Sequence, residues 1–167
     1  LGTFVDPHTL ECTNPRKQPK TITGRRIVVA VGGRPNGLDI PGGEHAISSD
    51  DIFSLENPPG KTLVVGASYI ALECGGFLTG CGYDTTIMVR SILLRGFDQQ
   101  CADEIGKYME EEGTKFIRQC VPSKIEKQAN GKLKVTWTTS SGGPGGEDEF
   151  DTVLAAVGRY ADTKSLG

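Results

Sequence analysis

The sequence predicts an α/β fold, on three observations. Lys61 to Val65 is a short apolar run that stops abruptly at Gly66, the residues from there through Gly80 form helix readily with small side chains facing inward, and Asp84 to Val89 is rich in β-formers. Strand, glycine turn, helix and strand in that order open a parallel βαβ unit. Antiparallel segments are expected on either side of it.

The turn Gly66-Ala67-Ser68-Tyr69-Ile70-Ala71 stands where a dinucleotide fingerprint would. There the first Gly permits the tight turn, the second small residue admits a pyrophosphate to the backbone, and the third allows close helix–strand packing, while the helix N-terminus offers unpaired N–H groups. Gly66 and Ala71 fit. Ser68 departs, because Gly is usual there and a hydroxymethyl must be accommodated. Taken alone, the turn reads equally as a plain strand-to-helix connection or as a phosphate cradle.

The residues beyond the second strand discriminate. An NAD site places Asp or Glu there for the ribose hydroxyls, whereas an NADP site needs cations for the 2′-phosphate. This chain has Arg90, Ser91 and, one loop later, Arg95. Arg90 follows Gly66 at about the ~20-residue interval of the fingerprint. An arginine fork can hold a phosphate through two N–H bonds, and a serine hydroxyl can add a third. The other reading makes both arginines ordinary surface cations. The expectation is a Rossmann-like NAD(P)-binding domain that takes NADPH in preference to NADH.

A chain of 167 residues holds one domain with a proper core, or one domain and fragments of a neighbour. Its net charge of −3 carries no electrostatic footprint for nucleic acid or acidic membranes. No apolar run approaches the roughly 18 residues of a membrane span and no signal peptide opens the chain, so neither nucleic acid nor membrane is expected as a partner. The chain opens without Met and stops within a turn-like phrase, Leu166-Gly167, so it is expected to be cut from a longer protein.

The cysteines are Cys12, Cys74, Cys81, Cys101 and Cys120, an odd number without C-x-x-C spacing or metal-type pairing with His8 and His45. No metal site is expected. Cys74 and Cys81, on one helix, would stand roughly 10 Å apart, too far for a disulfide. Both are expected to be small buried packing residues, and the usage suggests a reducing compartment.

In chain order, GTFVD is a short strand and Pro7 to Lys20 is polar, punctuated by Pro7, Pro15 and Pro19. KTITGRRIVVAVGG predicts two strands around Gly24-Arg25, the second from Arg26 to Val31, so that this region forms an antiparallel hairpin or meander. Asn36 to Gly60 reads as a crossing between domains, with Ser48-Ser49-Asp50-Asp51 as the N-cap of a short helix Ile52 to Leu55. After the nucleotide unit, Asp98 caps a helix from Gln99 to Glu112 whose inner face is Ile105, Tyr108 and Met109. Glu110 to Glu112 is its solvated end. Thr114 to Cys120 is the next strand, and SKIEK and KLKVTWT form a hairpin about Asn130-Gly131, with Trp137 a packing residue. Ser140 to Gly146 is a flexible loop tip, acidic Glu147 to Asp151 follows, and Thr152 to Val157 is a buried strand ending at Gly158-Arg159. The domains so expected are 1–43, 44–157 and 158–167.

Three phrases, ISSDDIFSLENPPGKTLVVGASYIALECGGFL, MVRSILLRGFDQQ and GTKFIRQCVPSKIEK, carry a further reading. On them the chain resembles the central part of a pyridine nucleotide–disulfide oxidoreductase, most closely the large, animal-type thioredoxin reductases and thioredoxin glutathione reductases. The resemblance spans nearly all of the chain and is weakest at Gly142 to Gly146. It implies that residues 1–43 end an FAD-binding domain, that 44–157 are the NADPH domain, and that 158–167 return toward the FAD domain.

The resemblance further implies that Gly66, Ala67, Ser68, Tyr69, Ile70 and Glu73 contact the pyrophosphate and nicotinamide side of NADPH, with Arg90, Ser91 and Arg95 on the 2′-phosphate. Tyr69 is similar to the aromatic gate over the flavin, and Glu73 to the carboxylate near the nicotinamide amide. Ala30, Val31 and Gly32 resemble the segment passing FAD, and Gly158 with Arg159 the second crossing near NADPH. Val31 departs from a common Thr, and Asn36 from a common Arg. The activity implied is transfer of electrons from NADPH through FAD to a disulfide, thioredoxin or a glutathione-type substrate, in a homodimer of the cytoplasm or the mitochondrion serving redox homeostasis. The FAD fingerprint, the redox-active cysteine pair and the terminal redox arm are not in this stretch, so by itself it is expected to lack activity.

Three alternatives remain open at this point. Glutathione reductase differs only in phrase similarity, and dihydrolipoamide dehydrogenase would want an acidic residue in place of Arg90. An NADP(H)-binding module without catalysis is the third, and a methyltransferase-like loop fits worse for the same want of an acidic residue.

Overall fold

Three short runs in which nearly every residue is buried, Thr62–Val65, Thr85–Val89 and Thr152–Ala155, form the centre of a parallel sheet. The computed structural model describes every residue except Leu1, Pro15 and Lys17; Pro15, expected as punctuation, lies outside the described residues. In chain order the elements are β1 (Gly2–Asp6), β2 (Thr9–Thr13), β3 (Pro19–Thr23), β4 (Gly33–Pro35), β5 (Ile47–Ser48), β6 (Thr62–Val65), α1 (Tyr69–Gly80), β7 (Thr85–Val89) and α2 (Gln99–Glu111). After these come β8 (Lys115–Arg118), β9 (Cys120–Lys127), β10 (Leu133–Thr139), β11 (Gly146–Phe150), β12 (Thr152–Ala155) and β13 (Arg159–Ala161). They fall into two compact units, one running from Pro35 to Gly158 and the other made of the residues up to Arg34 with Arg159–Gly167.

In the larger unit five strands lie in the order β5-β12-β6-β7-β8, every neighbouring pair parallel. The chain runs from β6 through α1 to β7 and through α2 to β8, then returns to the other side of β6. The return is an antiparallel three-stranded meander, β11-β10-β9, in place of a helix. Strand order therefore reverses between β6 and β12, the point at which doubly wound sheets open a crevice beyond their carboxyl ends. The architecture is Rossmann-like, as expected.

Period-two alternation divides the sheet side chains between two cores. Val64, Ile87, Val89 and Leu154 face the helices and join Ala71, Leu72, Cys74 and Leu78 of α1. Leu63, Val65, Met88 and Val153 face the meander and join Ile125, Leu133, Val135 and Phe150, with Trp137 packed against them as expected. The helix α1 sits close: a β-carbon on Gly75 would come within 2.6 Å of Ile87 Cδ1, so only a small residue fits. Burial pushes the Cys74 thiol up, helped by Glu73, and keeps it protonated.

In α2 the Asp98 carboxylate accepts from Cys101 N–H at 3.0 Å, the expected cap. Its inner face, however, is Ala102, Gly106 and Met109, while Ile105 and Tyr108 point outward. A β-carbon on Gly106 would lie 2.6 Å from Leu93 Cδ1; so close an approach admits small residues and turns larger ones away. Cys81, past the end of α1, is exposed rather than buried, and all five cysteines are free.

Other expectations change at long-range contacts. The crossing from Asn36 to Gly60 contains a strand, β5, that pairs with β12. The short helix is a single 3-10 turn, Ile52–Ser54, and Asp51 accepts from the Ser48 N–H and hydroxyl instead of capping it. The strand Thr114 to Cys120 is broken at Gln119, whose φ is 57°. Most of the acidic run Glu147 to Asp151 lies in β11, where Lys61 reaches Asp148 at 2.7 Å.

In the smaller unit β1, β2 and β3 form an antiparallel meander in which β2 arises inside the polar Pro7 to Lys20 stretch, and β3 pairs with β2 instead of with a strand beyond Gly24-Arg25. Arg26 to Val31 is not a strand. Val28 is 88% exposed, with Val29 and Val31 about half exposed, and a β-prone run becomes a strand only where a neighbour takes its backbone hydrogen bonds. No described strand pairs with it.

Two stability measurements follow from this packing. Phe150→Ala, which empties a fully buried site in the meander core, is expected to cost about 3–5 kcal/mol in denaturant unfolding. Backbone hydrogen bonds hold the Asp98 and Asp151 carboxyls below their ordinary 3.8. Carboxylates so held stabilise the fold above the ordinary value, and that contribution is lost as pH falls through the depressed folded values. Melting temperature is expected to drop steeply only below about pH 4, and Asp98→Asn, which still caps but does not titrate, is expected to make that drop shallower.

Candidate nucleotide-binding site

The site begins where β6 gives way to α1. Gly66 has φ 136°, its N–H donates to Met88 O at 3.0 Å, and a β-carbon there would stand 2.2 Å from Ala156 O. Only glycine satisfies all three. Ser68 occupies the N-cap position of α1 with no side-chain capping bond. The first-turn N–H groups therefore keep their hydrogen-bonding capacity and the positive end of the helix dipole.

A second turn faces the first. Leu94 N–H donates to Ala67 O at 2.8 Å, tying the loop after β7 to the glycine turn, and Leu94 holds a left-handed φ of 45° to do so. In the same loop the Arg95 guanidinium donates to Ser91 Oγ at 2.9 Å. Two side chains from elsewhere hold the loop backbone: Gln119 Nε2 donates to Ser91 O at 2.7 Å and Ser140 Oγ to Arg90 O at 2.5 Å.

Between these turns lies a cavity of about 500 Å³ at the strand-order reversal. Gly66, Ala67, Ser68, Tyr69, Arg90, Ser91, Arg95 and Gly158, all named from the sequence, line it. Two arginines and no carboxylate face the space. Tyr69 is half exposed there. A cationic rim with free helix N–H groups can hold phosphate oxygens, and the apolar remainder can cover flat rings. The donor set fits a phosphorylated dinucleotide.

Within the same unit, Ile70 and Glu73 do not line the cavity. Ile70 packs against the helix-side core. Glu73, one turn along α1, is exposed. Arg159, Ala30, Val31 and Gly32 belong to the smaller unit, where the Arg159 guanidinium donates to Gly33 O at 2.7 Å.

Sequence reasoning missed the apolar wall: Leu38 and Ile40 from the crossing, Met88, and Cys120, Val121 and Pro122 at the start of β9. It also missed Gln119 and Ser140. Their positions follow from sheet order and from the meander's return, which no local pattern encodes. Among the described residues no cluster of metal-ligating side chains occurs, and no helix is long and apolar enough to cross a membrane.

The family model described as pyridine nucleotide-disulphide oxidoreductase matches residues 2–167. The chain is 52% identical over 167 residues to "Thioredoxin reductase SEP1" of Emiliania huxleyi, an alignment covering 99% of this chain and 34% of that protein. A solved structure of the HOCl-induced flavoprotein disulfide reductase RclA from Escherichia coli, as its Cu(II) complex, superposes with a TM-score of 0.82 at 24% identity, over 99% of this chain and 36% of that one. At that identity the likeness is one of fold. The chain spans about a third of the length of each relative.

Gly66→Ala tests the turn. The β-carbon meets backbone, which cannot move aside without disturbing β12, so a loss of roughly 2 kcal/mol or more is expected in chemical denaturation. Gly80→Ala, with open space around the new methyl, is expected to stay within about 1 kcal/mol of the parent.

Proposed function

The chain belongs to the pyridine nucleotide-disulphide oxidoreductase family, and from that membership we propose that Pro35 to Gly158 is the NADPH-binding domain of a flavin-dependent thioredoxin reductase or thioredoxin glutathione reductase. The observation that carries this reading is the cavity with two arginines and no carboxylate at the strand-order reversal. Its limits then follow the compact unit, 35 and 158, in preference to 44 and 157. The residues on either side are assigned to an FAD-binding domain.

In this reading the first-turn N–H groups of α1 take the pyrophosphate, and Arg90, Ser91 and Arg95 take the 2′-phosphate. Arg95 is already oriented by Ser91, so that cation meets the phosphate with less side-chain ordering left to do. Tyr69, on the first residue of α1 and half exposed, is assigned as the movable cover at the nicotinamide end. Glu73, one turn further and exposed, is assigned to the nicotinamide amide.

When bound, NADPH would supply reducing equivalents that an FAD group in the adjoining domain would pass to a disulfide. No residue of this chain is assigned a covalent role. Thioredoxin, or a glutathione-type disulfide, is the proposed acceptor, and a homodimer the proposed assembly. The 52% identity to a thioredoxin reductase supports that acceptor over glutathione alone.

Calorimetric titration of the full-length protein with NADP⁺ and NAD⁺ tests the nucleotide. NADP⁺ is expected to bind about a hundredfold more tightly, the scale of two charge-assisted contacts, and Arg90→Ala/Arg95→Ala to abolish the difference. Equal affinity of the unaltered protein for the two nucleotides sinks the reading.

A further inference from the structure

The carbonyls of Arg90 and Ser91 are consecutive, and each accepts a hydrogen bond from a side chain outside the loop. Gln119 donates to Ser91 O at 2.7 Å from the break between β8 and β9, and Ser140 donates to Arg90 O at 2.5 Å from the loop after β10. The two anchors are themselves joined, since Ser140 N–H donates to Gln119 O at 2.7 Å. From these contacts we infer that Gln119 and Ser140 are positioning residues for the 2′-phosphate site, so that the antiparallel meander sets the preference for a phosphorylated nucleotide. The inference rests on the nucleotide reading above and extends it to residues that do not touch the ligand.

Three features argue that these contacts orient the loop as well as support it. Gln119 holds φ 57°, an uncommon and costly conformation for a residue with a side chain, and it is there that β8 ends and β9 begins. The glycine-rich stretch after β10, expected from sequence to be a flexible tip, is closed on itself: Thr139 N–H donates to Gly143 O at 3.2 Å, and Gly143 N–H to Thr139 Oγ1 at 2.8 Å. Ser140 is therefore delivered from an ordered turn.

Finally, two pinned consecutive carbonyls fix the peptide planes that direct the Arg90 and Ser91 side chains, and Ser91 in turn orients Arg95. An unpinned loop would still carry both cations. It would hold them in many arrangements, and ordering them would be charged against binding of the phosphate alone.

The test is calorimetry on the full-length protein with NADP⁺, NAD⁺, 2′,5′-ADP and 5′-AMP. The variants are Gln119→Asn, which tolerates the left-handed backbone but is one methylene too short to reach Ser91 O, Ser140→Ala, the two combined, and Ser140→Thr, which keeps the hydroxyl. The combined variant is expected to bind NADP⁺ and 2′,5′-ADP about tenfold more weakly, with NAD⁺ and 5′-AMP changed far less, and Ser140→Thr to retain the unaltered preference. An unchanged preference in the combined variant overturns the inference, provided Arg90→Ala/Arg95→Ala abolishes it. Equal weakening of all four ligands also overturns it, because the role would then be support of the fold alone. An unaltered protein without any preference removes the nucleotide reading itself, and this inference with it.

Discussion

The backbone of Gly66 is wedged between the ends of two neighbouring strands. Its N–H is committed to Met88 on one side, and the Ala156 carbonyl on the other occupies the place of any β-carbon. Because β6 cannot continue past that point, the chain must turn at once, and α1 begins three residues later. The helix N-terminus is thereby fixed over the carboxyl edge of the sheet. The same wedge keeps β12 level with β6, with Ala156 N–H on Val65 O at 2.8 Å. Cavity floor, helix dipole and strand-order reversal coincide because one residue has no side chain.

The two faces of the sheet contribute differently to that edge. Helices cover one face and place a dipole and a glycine turn above it. The meander covers the other, and it supplies apolar wall through Cys120, Val121 and Pro122. A helix on that face would present side chains in a stripe and leave its ends at the rim. Strands instead run to the rim and return, so that Gln119 just before β9 and Ser140 just after β10, at the end where Cys120 pairs with Thr139, both reach the loop after β7. The net charge of the whole chain, −3, does not describe this rim, whose lining holds two arginines and no carboxylate.

What the sequence made legible was what local patterns encode. The runs at Thr62–Val65 and Thr85–Val89, the Asp98 cap and the Asn130-Gly131 hairpin depend on neighbours in the chain, and they formed as read. Arg26 to Val31 has equally strong β-formers and is not a strand, because propensity does not supply a partner. The inner face of α2 is small where the sequence points to large residues: Leu93 leaves no room for a side chain at Gly106, and Ala102 and Gly106 are buried while Ile105 is exposed. For the site, both turns were legible and the apolar wall was not. Leu38 and Cys120 are far apart in sequence, and sheet order alone makes them neighbours of one space.

Ser68 shows why the glycine fingerprint is better read as geometry than as letters. Its backbone has φ −81° and ψ 174°, extended values open to any residue. Glycine is therefore not required there by conformation, only by the space a ligand needs. Ser68 lines the cavity and its hydroxyl makes no capping bond, so that hydroxyl is not committed to the helix N–H groups. A hydroxyl can donate to an anion where glycine offers nothing. Gly66 has no such latitude, since its φ of 136° and the Ala156 carbonyl both forbid a side chain. Of the two, the residue that departs from the pattern costs the site little volume and adds a donor. The residue that keeps the pattern is the one the strand ends cannot do without.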